Sequence, residues 1–139
     1  MKKIFIDTDI FLDTILDRKP HSEFSRELLS LCEQNEITGC TSCLVIANIY
    51  YIISKIANYQ KAIQAIGKIR SLVSILPFID KEIGESIYAE FKDFEDGIQY
   101  FIAVNHKIDC LITRNTKDYR KANISILTPK EFLQSQKRI

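Results

Sequence analysis

Short apolar runs alternate along this chain with longer segments that have helical periodicity, and this alternation limits the possible folds more than any other feature. The runs are rich in β-branched residues, as buried strands are; they lie at 3–6, 37–40, 75–78, 108–113 and 124–127. Between them, apolar residues recur at the spacing of one helix face. The alternation predicts an α/β fold of three layers, α/β/α, with a mainly parallel central sheet covered by helices on both faces.

Residues that can cap a helix stand in front of most of the predicted helices. They are Ser22, Thr41 or Ser42, Asp80, Asp93 and Thr128, the last followed by Pro129 and by Glu131 in the arrangement of a capping box. The helix that ends near Ile56 is apolar on most sides, so we expect it to be deeply buried. The polar residues that follow the first strand, Asp7 to Asp9, are expected to form a loop.

The size and charge of the chain narrow the class of protein. With 139 residues we expect a single domain spanning 1–139. Lys and Arg number 19 against 18 Asp and Glu, a net charge of +1, so an RNA ligand would need a local basic patch. The first apolar run is too short for a signal peptide or a membrane span, which favours a cytoplasmic protein with no membrane partner.

Polar and acidic side chains follow two of the predicted strands at the point where each ends. Asp7 and Asp9 follow the first strand, and the segment after Ile112 carries Thr113, Arg114, Asn115 and Asp118. The carboxyl ends of parallel strands share one edge of the sheet, where ligands bind in such folds. The helix near Asp93 would bring Asp93, Glu95 and Asp96 to the same edge.

Carboxylates held close together repel one another and are driven toward protonation unless a cation compensates. Mg²⁺ or Mn²⁺ suits oxygen ligands, and it can activate a water for attack on a phosphodiester. Metal-dependent phosphodiester hydrolysis is the resulting hypothesis. Alternatively, Asp93 and Asp96 could act only at the start of the helix, as its N-cap and as a charge favourable to the helix dipole, and Asp7 could act only as a turn residue. We expect Asp13, Asp17 and Asp80 to lie outside the cluster as solvated or capping residues.

Three segments carry a family resemblance, in the right order and over nearly the whole chain. The stretch from Ile6 to Asp13 resembles the opening of PIN-domain proteins, Asp93 to Gln99 their acidic helix start, and Leu111 to Tyr119 their strand end. The closing strand and helix, 126–133, are similar as well. The resemblance implies a three-layer α/β/α fold and a ribonuclease for single-stranded RNA that uses Mg²⁺ or Mn²⁺. Many bacterial members are VapC-like toxins held by small antitoxin proteins, and members are commonly homodimers.

By resemblance Asp7 and Asp96 are metal ligands. We predict a catalytic set of Asp7, Asp96, Asn115 and Asp118, with the supporting residues Asp9, Asn48, Asp93, Thr113 and Arg114. Two positions depart from the family pattern, because Asn48 and Asn115 stand where acids are usual. An amide oxygen can bind a metal but brings no charge, so the site should hold its cation more weakly unless Asp9, Asp93 or Asp118 compensates.

Two other functions remain open. The pair Cys40 and Cys43 lies between a predicted strand and a helix, where a thioredoxin-like redox pair would lie. A non-catalytic module that binds RNA or a protein is the second alternative, since two acids are amides. Basic residues available for phosphates near the proposed edge are Lys2, Lys3, Arg114, Lys117, Arg120 and Lys121. His21 and His106 have no ligand spacing, which argues against a zinc site or a His-based ribonuclease.

Overall fold

A parallel sheet forms the centre of the molecule. The structure, a computed structural model, describes residues 2–119 and 123–136 of the chain. Within those residues the sheet has five strands: β1 (Lys3–Ile6), β2 (Thr38–Ser42), β3 (Ser74–Leu76), β4 (Cys110–Ile112) and β5 (Ser125–Leu127). Their order is β3-β2-β1-β4-β5, and every neighbouring pair is parallel.

Helices cover both faces of this sheet, which confirms the predicted α/β/α architecture. They are α1 (Thr8–Ile15), α2 (His21–Glu33), α3 (Cys43–Ile56), α4 (Tyr59–Leu72), α5 (Asp80–Ala89), α6 (Phe94–Asn105) and α7 (Pro129–Gln136). A short 3₁₀ turn, Thr116–Tyr119, follows β4. None of the helices in the described part of the chain is both long and apolar enough to cross a bilayer.

The middle strand, β1, fixes where a ligand can bind. Its residues Ile4, Phe5 and Ile6 are fully buried, because β2 and β4 flank the strand and helices cover both faces. The chain proceeds from β1 to β2 and β3 on one side and then returns to β4 and β5 on the other. Strand order therefore reverses between β1 and β4, and a crevice forms beyond the carboxyl ends of strands at such a point.

The first helix was not predicted, and the expected loop at Asp7 to Asp9 was wrong. Helix α1 begins at Thr8, directly after β1, because Asp7 acts as its N-cap. The Oδ1 atom of Asp7 accepts a hydrogen bond from the backbone N–H of Thr8 at 2.7 Å. The run Ile10 to Leu12 is buried on this helix.

The capping predictions were right for three helices and wrong for two. Ser42 caps α3, Asp93 caps α6, and Thr128 forms the predicted capping box with Glu131. Ser22 instead lies buried inside α2, where its hydroxyl donates to Asp17. Asp80 is the first residue of α5 rather than its cap, and Glu82 accepts the backbone N–H of Ile79 at 2.8 Å.

Helix α3 is less buried than its composition predicted. Only one face, formed by Val45, Ile49 and Ile53, is buried in the core. Tyr51, on the opposite side, is 57% exposed, and Ile56, at the carboxyl end of the same face, is 60% exposed. The expectation of deep burial was wrong, because the side of α3 that faces away from the core carries apolar side chains as well.

Candidate active-site cleft

A cleft of about 370 Å³ lies beyond the carboxyl ends of β1 and β4, at the predicted edge of the sheet. Helix α3 contributes one wall and the start of α6 another. The residues that line it are Asp7, Thr8, Asp9, Asn48, Tyr51, Ile52, Glu95, Asp96 and Asn115. We call it the acidic cleft. A buried hydrogen bond of 2.7 Å from the Ser42 hydroxyl to Gln99 Oε1 joins the start of α3 to α6 and so holds the two walls together.

Asp7 presents a buried carboxylate at the base of the acidic cleft. Asp7 is 8% exposed, and its Oδ2 atom accepts a hydrogen bond of 2.9 Å from the hydroxyl of Thr113, which follows β4. Burial raises the pKa of Asp7 from 3.8 to about 6, against the hydrogen bonds from Thr113 and Thr8, which lower it. The negative charges of Asp9 and Glu95 raise the pKa further.

Asp96 stands in the first turn of α6, where Asp93 accepts its backbone N–H at 3.1 Å. Burial raises the pKa of the Asp96 carboxyl to about 7, and the charges of Asp93, Asp7 and Asp118 add to this effect. The hydroxyl of the buried residue Tyr119 donates to Asp96 Oδ1 at 3.3 Å. Burial among these acids also raises the pKa of Tyr119, so the phenol keeps its proton.

Asn48 and Asn115, the amides that stand in place of acids, both donate hydrogen bonds to carboxylates. Asn48 Nδ2 donates to Glu95 Oε1 across the cleft, from α3 to α6. Asn115 Nδ2 donates to Asp9 Oδ2 at 3.0 Å, and the Asn115 backbone N–H donates to the Thr113 hydroxyl at 3.1 Å. Each amide therefore lies against one acid of the cleft and orients it.

Sequence comparisons identify the family of this domain. A family-wide sequence profile described as PIN domain matches residues 3–117. The chain belongs to the PIN-domain family. The match covers β1 through the start of the 3₁₀ turn, so it includes every residue that lines the acidic cleft.

Individual PIN-domain relatives support this assignment. Ribonuclease VapC1 of Aquifex aeolicus (strain VF5) is 30% identical, over 96% of this chain and 94% of the relative. DNA-bound VapBC from Salmonella typhimurium superposes with a TM-score of 0.72 at 19% identity, over 93% of this chain and 99% of that one. A toxin–antitoxin complex from Klebsiella pneumoniae gives a TM-score of 0.68 at 22% identity, over 91% and 97%. The two structures show that the fold is that of PIN domains.

The structure of this PIN domain brings together most of the residues predicted for its site. Asp7, Asp9, Asn48, Asp96 and Asn115 all line the acidic cleft, and Thr113 contacts Asp7 from below. The other two acids lie just outside the lining. Asp93 caps α6 and Asp118 lies in the 3₁₀ turn, and both are near enough to Asp96 for their charges to raise its pKa.

Arg114 points away from the acidic cleft, although we predicted that it supports the site. Its Nε and Nη2 atoms donate to the two oxygens of Asp13 at 2.7 and 3.0 Å. Asp13 was expected to be solvated or capping, and that expectation was wrong, because the residue is only 1% exposed. Asp17 does lie at the surface, where it pairs with Arg26.

Two of the basic residues proposed for phosphates lie at the wrong end of the sheet. Lys3 begins β1 and its Nζ donates to the backbone oxygen of His106 at 3.2 Å, while Lys2 lies over the ring of Phe132. Strand β1 runs from Lys3 toward Asp7, so both lysines are at the amino edge. Lys117 lies exposed on the 3₁₀ turn, and Arg120 and Lys121 fall outside the described residues.

The cysteines do not form a redox pair in this structure. Cys40 is fully buried in β2 and Cys43 is exposed at the start of α3, and both are free thiols. Burial raises the pKa of Cys40, whereas a reactive thiol of a redox pair has a lowered pKa. The burial of Cys40 and the raised pKa of its thiol argue against the thioredoxin-like alternative.

One contributor to the site was predicted only in position, and one was missed in the sequence. Glu95 was expected at this edge of the sheet but was given no role, and its carboxylate faces Asn48 across the cleft. Its position beside Asp96 in the first turn of α6 was the available signal. Tyr119 follows Asp118 in the segment similar to the family's strand end, and its hydroxyl bonds to Asp96. Only the fold reveals this contact, because the two residues belong to different elements.

Proposed function

We propose that this chain is a metal-dependent endoribonuclease that cleaves single-stranded RNA. The observation that carries the proposal is the pair of carboxyls that meet in the acidic cleft, the buried Asp7 and the half-buried Asp96, whose pKa values are raised to about 6 and about 7. A cation bound between two such carboxyls favours their ionised forms and lowers both pKa values, which is the interaction that stabilises its binding. Membership of the PIN-domain family and the likeness to Ribonuclease VapC1 favour RNA as the substrate.

Mg²⁺ or Mn²⁺ fits the oxygen atoms of this cleft. Among the described residues no three His, Cys, Asp or Glu side chains are grouped as a metal site. Mg²⁺ is usually bound through one or two carboxylates together with waters and substrate phosphates, so Asp7 and Asp96 suffice as its protein ligands. A bound ion of this kind supplies a Lewis acid that lowers the pKa of water and neutralises charge on a phosphodiester.

The remaining residues of the cleft position and charge these two carboxylates. Thr113 holds Asp7 through its hydroxyl, and Tyr119 holds Asp96. Asp93 and Asp118 add negative charge beside Asp96, which strengthens its attraction for a cation. Glu95 supplies a carboxylate at the position where Asn48 lacks one, and Asp9 does the same beside Asn115.

The direct test is cleavage of a labelled pool of single-stranded RNA in the presence of Mn²⁺. Wild-type protein should produce fragments that disappear with EDTA and in Asp96→Asn. Asp80→Asn is the matched control, because Asp80 is an exposed first-turn aspartate on α5, outside the cleft, and its removal should leave cleavage unchanged. Cleavage that persists in Asp96→Asn or in EDTA would contradict the proposal.

One observation favours a second function, a non-catalytic module that binds RNA. Asn48 and Asn115 each donate a hydrogen bond to an acid of the cleft, which partly satisfies that acid without a metal. If the amides take the place of the cation, the protein should bind RNA in EDTA and leave it intact in Mn²⁺. The cleavage experiment, repeated with an RNA-binding measurement, separates the two functions.

We further propose that the chain is the toxin-like component of a bacterial toxin–antitoxin module and forms a homodimer. The structural relatives include toxin–antitoxin complexes from Salmonella typhimurium and Klebsiella pneumoniae. Exposed apolar side chains on α3 and α4, outside the acidic cleft, agree with a surface that another protein covers; they are Tyr50, Ile56, Tyr59 and Ile63. We call this set the α3–α4 apolar face and assign it to the second copy of the chain.

A further inference from the structure

A second cleft, of about 360 Å³, opens on the same carboxyl edge of the sheet as the acidic cleft. Arg114, which follows β4, and Thr128 to Lys130, which follow β5, form one side of it. The start of α2 forms the other with Pro20, His21 and Phe24, and Asp13 lies at its base. We call it the basic cleft.

The charge of the basic cleft is positive despite the aspartate at its base. Asp13 is bound by Arg114 through two hydrogen bonds of 2.7 and 3.0 Å, and Arg18 Nη1 lies 3.7 Å from its Oδ1. One carboxylate is thus shared by two guanidinium groups. The bonds to Asp13 use Nε and Nη2 of Arg114, so this five-donor group keeps N–H donors for another anion.

Lys130 adds a further positive charge at the mouth of the cleft. It is exposed, and its Nζ lies 5.7 Å from the centroid of the Phe24 ring, within the range of a cation–π contact. The carboxylate of the neighbouring Glu131 accepts the backbone N–H of Thr128 at 2.9 Å and keeps its charge, so the three cationic side chains, Arg18, Arg114 and Lys130, outnumber the two carboxylates, Asp13 and Glu131.

The acidic cleft alone repels an RNA backbone, so positive anchors for the strand must lie beside it. The chain has a net charge of only +1, and Lys2 and Lys3 lie at the opposite edge. Arg114 and Asn115 are adjacent, with Cα atoms about 3.8 Å apart. Asn115 lines the acidic cleft and Arg114 lines the basic cleft, so the two clefts adjoin across a single loop.

We propose that the basic cleft binds a backbone phosphate of the RNA strand whose neighbouring phosphodiester lies in the acidic cleft. This inference rests on the proposed ribonuclease function. The anion is held by the free donors of Arg114 and by Lys130, and Phe24 keeps the Lys130 ammonium over the cleft. The buried Asp13 fixes the direction of Arg114, which makes Asp13 a positioning residue for phosphate binding.

The test compares Lys130→Gln with Lys68→Gln, a matched change at an exposed lysine on α4. On a single-stranded RNA oligonucleotide with Mn²⁺, Lys130→Gln should raise KM severalfold and leave kcat within about twofold. The slope of log KM against log salt concentration should fall by about 0.7, the value for one phosphate contact on a single strand. Lys68→Gln should match the wild type in all three. Equal KM values and salt slopes for both variants would overturn the inference.

Two further measurements separate this inference from the proposed function. If the wild type cleaves no RNA, the ribonuclease proposal fails, and fluorescence anisotropy of labelled RNA in EDTA still tests the basic cleft. Weaker RNA binding by Lys130→Gln, with binding by Lys68→Gln equal to that of the wild type, supports phosphate binding in the basic cleft. Unchanged RNA binding by Lys130→Gln overturns it. Inorganic phosphate is the probe for a free anion. Suppose that phosphate raises the melting midpoint of the wild type but not of Lys130→Gln, while the two proteins bind RNA equally well. The cleft then binds free phosphate, and its assignment to RNA is overturned.

Discussion

Asp7 combines a structural and an electrostatic role in one side chain. Its Oδ1 atom caps α1, and its Oδ2 atom accepts from Thr113, so the carboxyl is fixed by two elements of the fold. Asparagine keeps the N-cap acceptor at Oδ1, but its Nδ2 is a donor, so the Thr113 hydroxyl has to accept a hydrogen bond there instead of donating one. The substitution Asp7→Asn therefore removes the charge and leaves the cap in place.

Asp7→Asn should stabilise the metal-free protein at neutral pH but not in acid. The pKa of Asp7 is 3.8 in the unfolded chain and about 6 in the folded one, so the folded state binds more protons between these values. The contribution of Asp7 to the stability of the fold is fully present below about pH 4, and it is lost as the pH rises through about 6. In EDTA at pH 7.5 we expect the variant to gain about 1–3 kcal/mol over the wild type. Urea denaturation of both proteins at pH 4 and pH 7.5 checks this. The same difference in unfolding free energy between variant and wild type at the two pH values would contradict it.

Asn48→Glu should weaken the metal-free fold and tighten Mn²⁺ binding. The present amide donates to Glu95 Oε1, and a glutamate there would place a second carboxylate against it. Like charges at contact distance destabilise the protein until a cation compensates. Calorimetric titration with Mn²⁺ and melting in EDTA give the two readouts. Gln64→Glu, at an exposed position on α4, should change neither. An unaltered Mn²⁺ affinity in Asn48→Glu would show that the side chain does not face the ion.

At the scale of whole elements, the alternation of apolar runs predicted the sheet and most of its helices but not α1. A buried strand and a short buried helix have similar apolar runs, and here one follows the other with no breaker between them. The burial of Asp13 on α1 could not be predicted from the sequence either, since its partner Arg114 is 101 residues away along the chain. Local patterns carry no information about such a contact.

The Asp13–Arg114 pair should contribute far more to stability than a surface pair of the same chemistry. It ties α1 to the loop after β4, and removing Arg114 leaves a buried carboxylate with Arg18 as its remaining partner. Arg114→Met should lower the free energy of unfolding by about 2–4 kcal/mol. Arg26→Met, which breaks the pair with the 51% exposed Asp17, should cost less than about 1 kcal/mol.

Urea denaturation of these two variants checks the difference. The double variant Asp13→Leu, Arg114→Met should recover part of the loss, because the uncompensated charge has been removed. Equal losses for Arg114→Met and Arg26→Met would show that the buried pair does not hold α1 in place.

For the molecule as a whole, the sequence predicted the position of the acidic cleft but not its complete lining. Strand ends and helix starts placed Asp7 and Asp96 at one edge, because parallel topology brings those ends together. Side-chain direction could not be predicted in the same way. Arg114 and Asn115 are neighbours in sequence yet line different clefts. The exposure of α3 was missed for a related reason, since an exposed apolar side of a helix has the same sequence pattern as a core-facing one.

The last prediction concerns this exposed surface, the α3–α4 apolar face, which we assign to a second copy of the chain. Tyr59 is 62% exposed, and its ring makes an edge contact with Tyr50, which joins α3 to α4 in one surface. Light scattering after gel filtration should give twice the 16.1 kDa of one chain. Ile56→Lys with Tyr59→Lys should give the single-chain mass with secondary structure unchanged, because both side chains are exposed in the isolated chain.

Tyr88→Lys is the matched control for this experiment, because Tyr88 is 87% exposed on α5, outside the α3–α4 apolar face. It should keep the mass of the wild type, since a lysine there introduces the same charge without entering the assigned interface. A wild type with the single-chain mass at tens of micromolar would contradict the dimer. A dimer that persists in Ile56→Lys with Tyr59→Lys and is lost in Tyr88→Lys would move the interface to α5. Introducing charge into an apolar contact is strongly unfavourable, because the ammonium loses its hydration without gaining a partner, so the outcomes are well separated.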